Sequence, residues 1–181
     1  MYGHALQRLT QGTVVKLLRT TLTTMCMLTA LAAAVVAGPI EDASNAYERG
    51  DYATALRLLR PLADHGVAEA ARDLGFMYYN GLGVPEDYAQ ALKLFRLAAE
   101  QGLTGAQHDL GVMYLKGQGV PQNYVLAHMW FNLAASQTPA SKKVDRDSAV
   151  SHRDLVESKM TPEQIAEAQK LARDWKPKQQ Q

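Results

Sequence analysis

The chain has 181 residues, enough for one domain with a substantial core, and 47% of them are apolar, as in ordinary globular proteins. Its formal net charge is +1, but residues 1–37 hold three basic side chains and no acidic one, so the remainder carries 16 basic and 18 acidic residues. That remainder has no basic stripe that could displace counterions from phosphates. We therefore expect no nucleic-acid partner.

Residues 1–37 have the pattern of a signal peptide. A basic region ends at Arg19, the apolar run "LTTMCMLTALAAAVVA" follows, and Val35 and Ala37 suit cleavage before Gly38. The sequence thus predicts export to the periplasm or beyond. An uncleaved anchor is the alternative, because an uncharged stretch of about 18 residues is marginal for a bilayer of ~30 Å. The only cysteine, Cys26, lies in this segment, so the mature chain has no disulfide.

Two later segments repeat each other at a spacing of 36 residues: "DLGFMYYNGLGVPEDYAQAL" from residue 73 and "DLGVMYLKGQGVPQNYVLAH" from residue 109. A period of this length is typical of stacked helical arrays. Apolar residues at three- and four-residue spacing predict a helix before and after each loop. Gly75 and Gly111 fall inside the first helix of each segment, where glycine costs about 1 kcal/mol relative to alanine. We therefore expect a neighbouring helix to approach closely at both positions.

The repeated loop has the residues of a helix stop followed by a helix start. Gly81 and Gly117 follow the last apolar turn, where a left-handed residue commonly ends a helix. Val-Pro then keeps the chain extended, and Asp87 and Asn123 are suitable N-caps for the next helix. A phosphate-binding loop would require a trailing Lys-Ser/Thr and a preceding strand, and neither loop has them.

The same register extends upstream and ends in a different terminal segment. Asp51 aligns with Asp87, which predicts helix pairs at about 41–65, 68–101 and 104–136. Thr161, Pro162 and Gln164 then begin a helix with a capping box, which we expect to end before Pro177 and to cap the array. The predicted divisions are a signal peptide at 1–37, helix pairs at 38–66, 67–102 and 103–138, and a capping helical hairpin and tail at 139–181.

The segments "AEAARDLGFMYYNGLGVPEDYAQALKLFRLAAEQG" and "GAQHDLGVMYLKGQGVPQNYVLAHMWFNLAA" resemble Sel1-like repeats, which are relatives of tetratricopeptide repeats. The first helix pair, with its short turn, resembles a plain tetratricopeptide unit. This resemblance implies an all-α fold, a right-handed α/α superhelix of about three helix pairs with a C-terminal helical cap. It also implies a non-catalytic scaffold that binds a peptide or protein partner in a concave groove.

Positions carried over from tetratricopeptide units imply a set of groove residues on the first helix of each pair. Together they would suit an extended peptide or a partner helix that has apolar anchors and a carboxylate. The alternative is that the aromatic and aliphatic members pack between repeats. The predicted set is Tyr47, Arg72, Phe76, Tyr79, Asn80, His108, Val112, Leu115 and Lys116, with Ser44 as a further contributor.

Catalytic patterns are sparse in this sequence. The chain has no H-E-x-x-H, no G-x-S-x-G and no Ser-x-x-Lys, so we expect no metal, cofactor or activity. Asp73 and Asp109 recur at one helical position, which indicates a scaffold role rather than an acid-base pair. A cell-wall or antibiotic-modifying envelope enzyme is kept as the alternative function. Trp130 does not repeat, and the sequence leaves open whether it is exposed or covers the junction with the cap.

Overall fold

The computed structural model describes residues 38–178, and the chain divides into two units, Met1–Glu41 and Asp42–Gln181. Of the first unit, residues 38–41 are described and are helical, whereas the predicted signal peptide lies outside the described residues. Helix α1 spans residues 38–48, and residues 38–178 contain no strand. The helices that follow are α2 (Tyr52–Asp64), α3 (Ala68–Asn80), α4 (Tyr88–Glu100), α5 (Thr104–Lys116), α6 (Tyr124–Gln137), α7 (Lys143–Glu157) and α8 (Pro162–Asp174).

Consecutive helices of the second unit pack side by side from α2 to α7. One continuous cluster of buried apolar residues runs from Ala43 in α1 to Ala172 in α8. This arrangement confirms the predicted all-α array of stacked helix pairs.

The helix ends have the predicted capping residues. Gly81 and Gly117 follow α3 and α5 in the left-handed region, with φ of 66° and 71°. The side chains of Asp87 and Asn123 accept hydrogen bonds from backbone N–H groups in the first turns of α4 and α6. Thr161 forms the predicted capping box at the start of α8. The repeated loop is therefore a structural joint.

The two helical glycines lie against phenylalanines of the following helix, as predicted. A Cβ atom on Gly75 would lie 3.0 Å from the ring of Phe95, and one on Gly111 would lie 2.7 Å from the ring of Phe131. Both phenylalanines are buried. Each ring thus occupies the space that a side chain on the first helix would need.

The C-terminal hairpin packs on the last repeat. Helices α7 and α8 both contact α6, and α7 also contacts α5. Trp130 is buried and meets Trp175 edge to face, with 6.1 Å between ring centroids. Beyond α8, the Lys178 backbone N–H donates to the Glu100 carbonyl at 2.7 Å. Trp130 therefore covers the junction with the cap, which resolves the question left open by the sequence.

Candidate functional site

Helices α1 and α3 line a cavity of about 420 Å³, which we call the α1–α3 cavity. Because residues three and four apart share a face of a helix, Ser44 with Tyr47 and Arg72 with Phe76 point into the same space. The rings of Tyr47 and Phe76 meet edge to face with centroids 6.4 Å apart. Among the described residues, the lining is Ala43, Ser44, Tyr47, Glu48, Leu59, Arg72, Asp73 and Phe76.

Phe76 is the most accessible apolar group of the cavity. It is 42% exposed, whereas the large apolar side chains of the core are almost fully buried. An aromatic side chain held at the rim of a concave site is a common anchor for a binding partner. The structure thus brings together three predicted groove residues, Tyr47, Arg72 and Phe76, along with Ser44.

Arg72, the only cation among the described residues that line the cavity, is paired within the array. Its Nε donates to Asp109 Oδ2 at 2.7 Å, so an arginine of one repeat meets the aspartate of the next. Gly105 permits this contact, since a Cβ there would lie 2.8 Å from Arg72 Nε. The guanidinium charge is therefore largely balanced by a carboxylate that belongs to the protein itself.

Asp73, the repeat counterpart of Asp109, has no such partner. Among residues 38–178 its carboxylate makes no hydrogen bond or ion pair. Burial raises the pKa of Asp73, while the neighbouring charge of Arg72 acts in the opposite direction. Glu48 also lines the cavity, and α1 contributes no basic side chain to it. With Arg72 balanced by Asp109, the cavity has an acidic character.

Four of the predicted groove residues of α3 and α5 lie outside the lining of this cavity, at or near the joint between repeats. The Tyr79 hydroxyl donates to Gln118 Oε1 at 2.7 Å and accepts from Lys116 Nζ at 3.3 Å. The Tyr79 ring packs edge to face on Tyr88, with centroids 5.3 Å apart. Leu115 is half-buried against the core, and the Asn80 side-chain amide donates to the carbonyl of the preceding helical turn.

His108 is covered by the cap. Its Nε2 lies 3.2 Å from His152 Nδ1 and 3.4 Å from Ser148 Oγ, both on α7. His152 Nδ1 also lies 3.0 Å from the Ser148 carbonyl oxygen. Because a carbonyl can only accept, that nitrogen carries the proton, and His108 Nε2 is an acceptor. The neighbouring groove residue Val112 is half-buried against the core.

In space, Ser148, His108 and Asp109 are arranged as in a hydrolase triad. Ser148 Oγ lies 3.4 Å from His108 Nε2, and His108 Nδ1 lies 3.7 Å from Asp109 Oδ1. The serine contact is long, and His152 already donates to the imidazole nitrogen that would act as the base. This geometry gives no positive support for catalysis. No group of three or more His, Cys, Asp or Glu within residues 38–178 is arranged to hold a metal ion.

Four residues of these surfaces were not predicted from the sequence: Asp73, Glu48, Ser148 and His152. A usable signal existed for Asp73, because residues 42–48 contain no lysine or arginine that could pair with it. The contacts of α7 had no comparable signal, since that helix belongs to no repeat. Among the described helices, none has the length and apolar character needed to cross a membrane.

Comparison with known proteins agrees with this geometry. The family model described as "Sel1 repeat" matches residues 68–103 and 104–139. None of the curated proteins compared with the chain matches it. A crystal structure of a protective antigen present in uropathogenic Escherichia coli strains, described as displaying an SLR fold, matches with a TM-score of 0.70 and 29% identity.

That match covers 77% of this chain but 29% of the antigen, so the chain spans under a third of its length. A Sel1 repeat protein from Oxalobacter formigenes matches at 34% identity and a TM-score of 0.46, over 47% of this chain and 65% of that one. The helix pairs α3–α4 and α5–α6 coincide with the two matched repeats. Residues 68–139 thus match two Sel1 repeats, and the capped, stacked helix pairs are similar to the SLR fold of the antigen.

Proposed function

We propose that this protein is a non-catalytic scaffold of the cell envelope that binds a peptide or protein partner at the α1–α3 cavity. Proteins with this repeat fold are typically protein–protein interaction scaffolds. The observation that carries the proposal is the exposure of Phe76, 42%, beside a cavity of about 420 Å³. An exposed aromatic anchor next to a concave surface is a common feature of binding sites.

The cap supports the choice of this surface. Helix α7 contacts α5 and covers His108, the repeat counterpart of Arg72. The face of the first helix in a pair can thus pack against another helix. On α5, the helix that packs there is α7 of the same chain. On α3, the equivalent face borders the open α1–α3 cavity. We infer that the partner binds at α1 and α3 rather than along the whole array.

The envelope location is part of the same proposal. It rests on the basic region, apolar run and small-residue cleavage pattern of residues 1–37. Mass spectrometry of the protein recovered from its native host should find Gly38 at the N-terminus. A mature chain that retains residues 1–37 would instead favour the anchored form.

Site-specific crosslinking tests the binding surface. A photoreactive phenylalanine analogue at position 76 should give a discrete adduct with a partner in the envelope fraction. The matched control is the same analogue at Leu155, which is 50% exposed on α7. Phe76→Ala should reduce capture of that partner, and Leu155→Ala should not. An adduct from position 155 alone, or capture unchanged by Phe76→Ala, would contradict the proposal.

A further inference from the structure

The α1–α3 cavity combines two aromatic rings with a carboxylate that has no partner among residues 38–178. Asp73 and Asp109 stand 36 residues apart at one position of the repeat, yet within the described part of the chain only Asp109 forms an ion pair. A partly buried carboxylate that lacks both an ion pair and a hydrogen bond has lost hydration, and the neighbouring charge of Arg72 offsets this loss only in part. Burial accordingly raises the pKa of Asp73. A cationic ligand would supply the missing interaction.

We propose that the α1–α3 cavity binds a lysine or arginine side chain next to an apolar side chain, so that the partner presents a basic, apolar peptide segment. This inference rests on the proposed function and adds the chemistry of the partner. Asp73 and Glu48 would face the cation, and Tyr47 and Phe76 would pack on its methylene stem and on the neighbouring apolar group.

The proposed partner carries a positive charge at this site, whereas the sequence predicts a partner with a carboxylate. Arg72 in a groove suggests a partner carboxylate, but the structure shows its Nε donating to Asp109, and no other cation of residues 38–178 lines the cavity. An incoming carboxylate would meet Asp73 and Glu48, and like charges at short range repel. The aromatic rings add to the preference, because their faces attract ammonium and guanidinium groups.

Three small molecules of matched shape test the charge preference directly: benzamidinium, benzoate and neutral benzamide. Each is titrated into the ¹⁵N-labelled chain while backbone amide shifts are followed by NMR. Benzamidinium should shift the amides around Tyr47 and Phe76 and bind about tenfold more tightly than the other two, the factor expected for a charged hydrogen bond. Benzoate that binds as tightly as benzamidinium, or no benzamidinium binding at roughly 10 mM, would overturn the inference.

Variants separate this inference from the proposed function. Asp73→Asn keeps the shape of the side chain and should remove the preference for benzamidinium, whereas Asp174→Asn, an exposed carboxylate at the end of α8, should not change it. If Phe76→Ala abolishes partner capture but Asp73→Asn changes neither capture nor benzamidinium binding, the charge assignment is wrong and the scaffold proposal stands. If the position-76 crosslink fails while benzamidinium still binds through Asp73, the scaffold proposal is wrong instead.

Discussion

Two faces occupy equivalent positions in the repeat but have different neighbours. They are the face of α3 that borders the α1–α3 cavity and the face of α5 that carries His108. On α5, His108 contacts α7 and Asp109 pairs with Arg72. On α3, Phe76 is 42% exposed and Asp73 is unpaired within the described part of the chain. The repeated sequence therefore specifies the helix, while the element that packs beside it decides whether the face is buried or stays exposed.

The largest expected difference in stability is between two phenylalanine-to-alanine variants. Phe131 of α6 is buried beside the face of α5, and Phe76 is exposed on α3. Phe131 is fully buried, and its ring lies under His108 and His152, so Phe131→Ala should lower the free energy of unfolding by about 3–5 kcal/mol. Phe76→Ala removes an exposed ring and should cost less than about 1 kcal/mol. Urea denaturation followed by circular dichroism measures both. Similar losses for the two variants would mean that α7 does not enclose Phe131.

A smaller difference is expected at the two helical glycines. A Cβ on Gly111 would lie 2.7 Å from Phe131, whose ring is held by two histidines, so Gly111→Ala should cost about 1–3 kcal/mol. At Gly75 the closest approach is 3.0 Å, and the gain in helix propensity of about 1 kcal/mol should offset most of the crowding.

Thermal unfolding of Gly75→Ala and Gly111→Ala compares the two sites. Adding Phe131→Leu to Gly111→Ala should recover part of the loss, because the smaller side chain frees the space. Failure of this rescue, or a larger loss at Gly75, would show that the crowding on α5 is not steric.

These local features were predictable because they depend on residues that the repeat itself supplies. Gly81 and Gly117 end their helices in the left-handed region, and Asp87 caps α4, as their side-chain chemistry requires. The contact of α7 with His108 was not predictable, because the path of the chain after α6 follows no repeat. Asp73 and Asp109 could not be distinguished from the sequence either, since periodicity does not show which neighbour each side chain meets.

The smallest changes in the free energy of unfolding are expected from replacing each aspartate with asparagine. The two replacements should change it in opposite directions. Asp109→Asn removes the partner of Arg72 and should lower the free energy of unfolding at pH 7 by up to about 1 kcal/mol, a small loss because the Arg72 side chain is 39% exposed. Asp73→Asn removes a carboxylate that has no partner within the described residues. It should therefore raise the free energy of unfolding at the same pH.

The pH dependence distinguishes this gain at Asp73 from a packing effect. Burial raises the pKa of Asp73 in the folded state. Between the ordinary aspartate pKa of about 3.9 and that raised value, the folded protein holds a proton that the unfolded chain has released, so stability falls as the pH rises through this window. The advantage of Asp73→Asn should thus be present at pH 7 and absent near pH 3.5, below both pKa values. A gain equal at both pH values would mean that the buried charge of Asp73 is not its source.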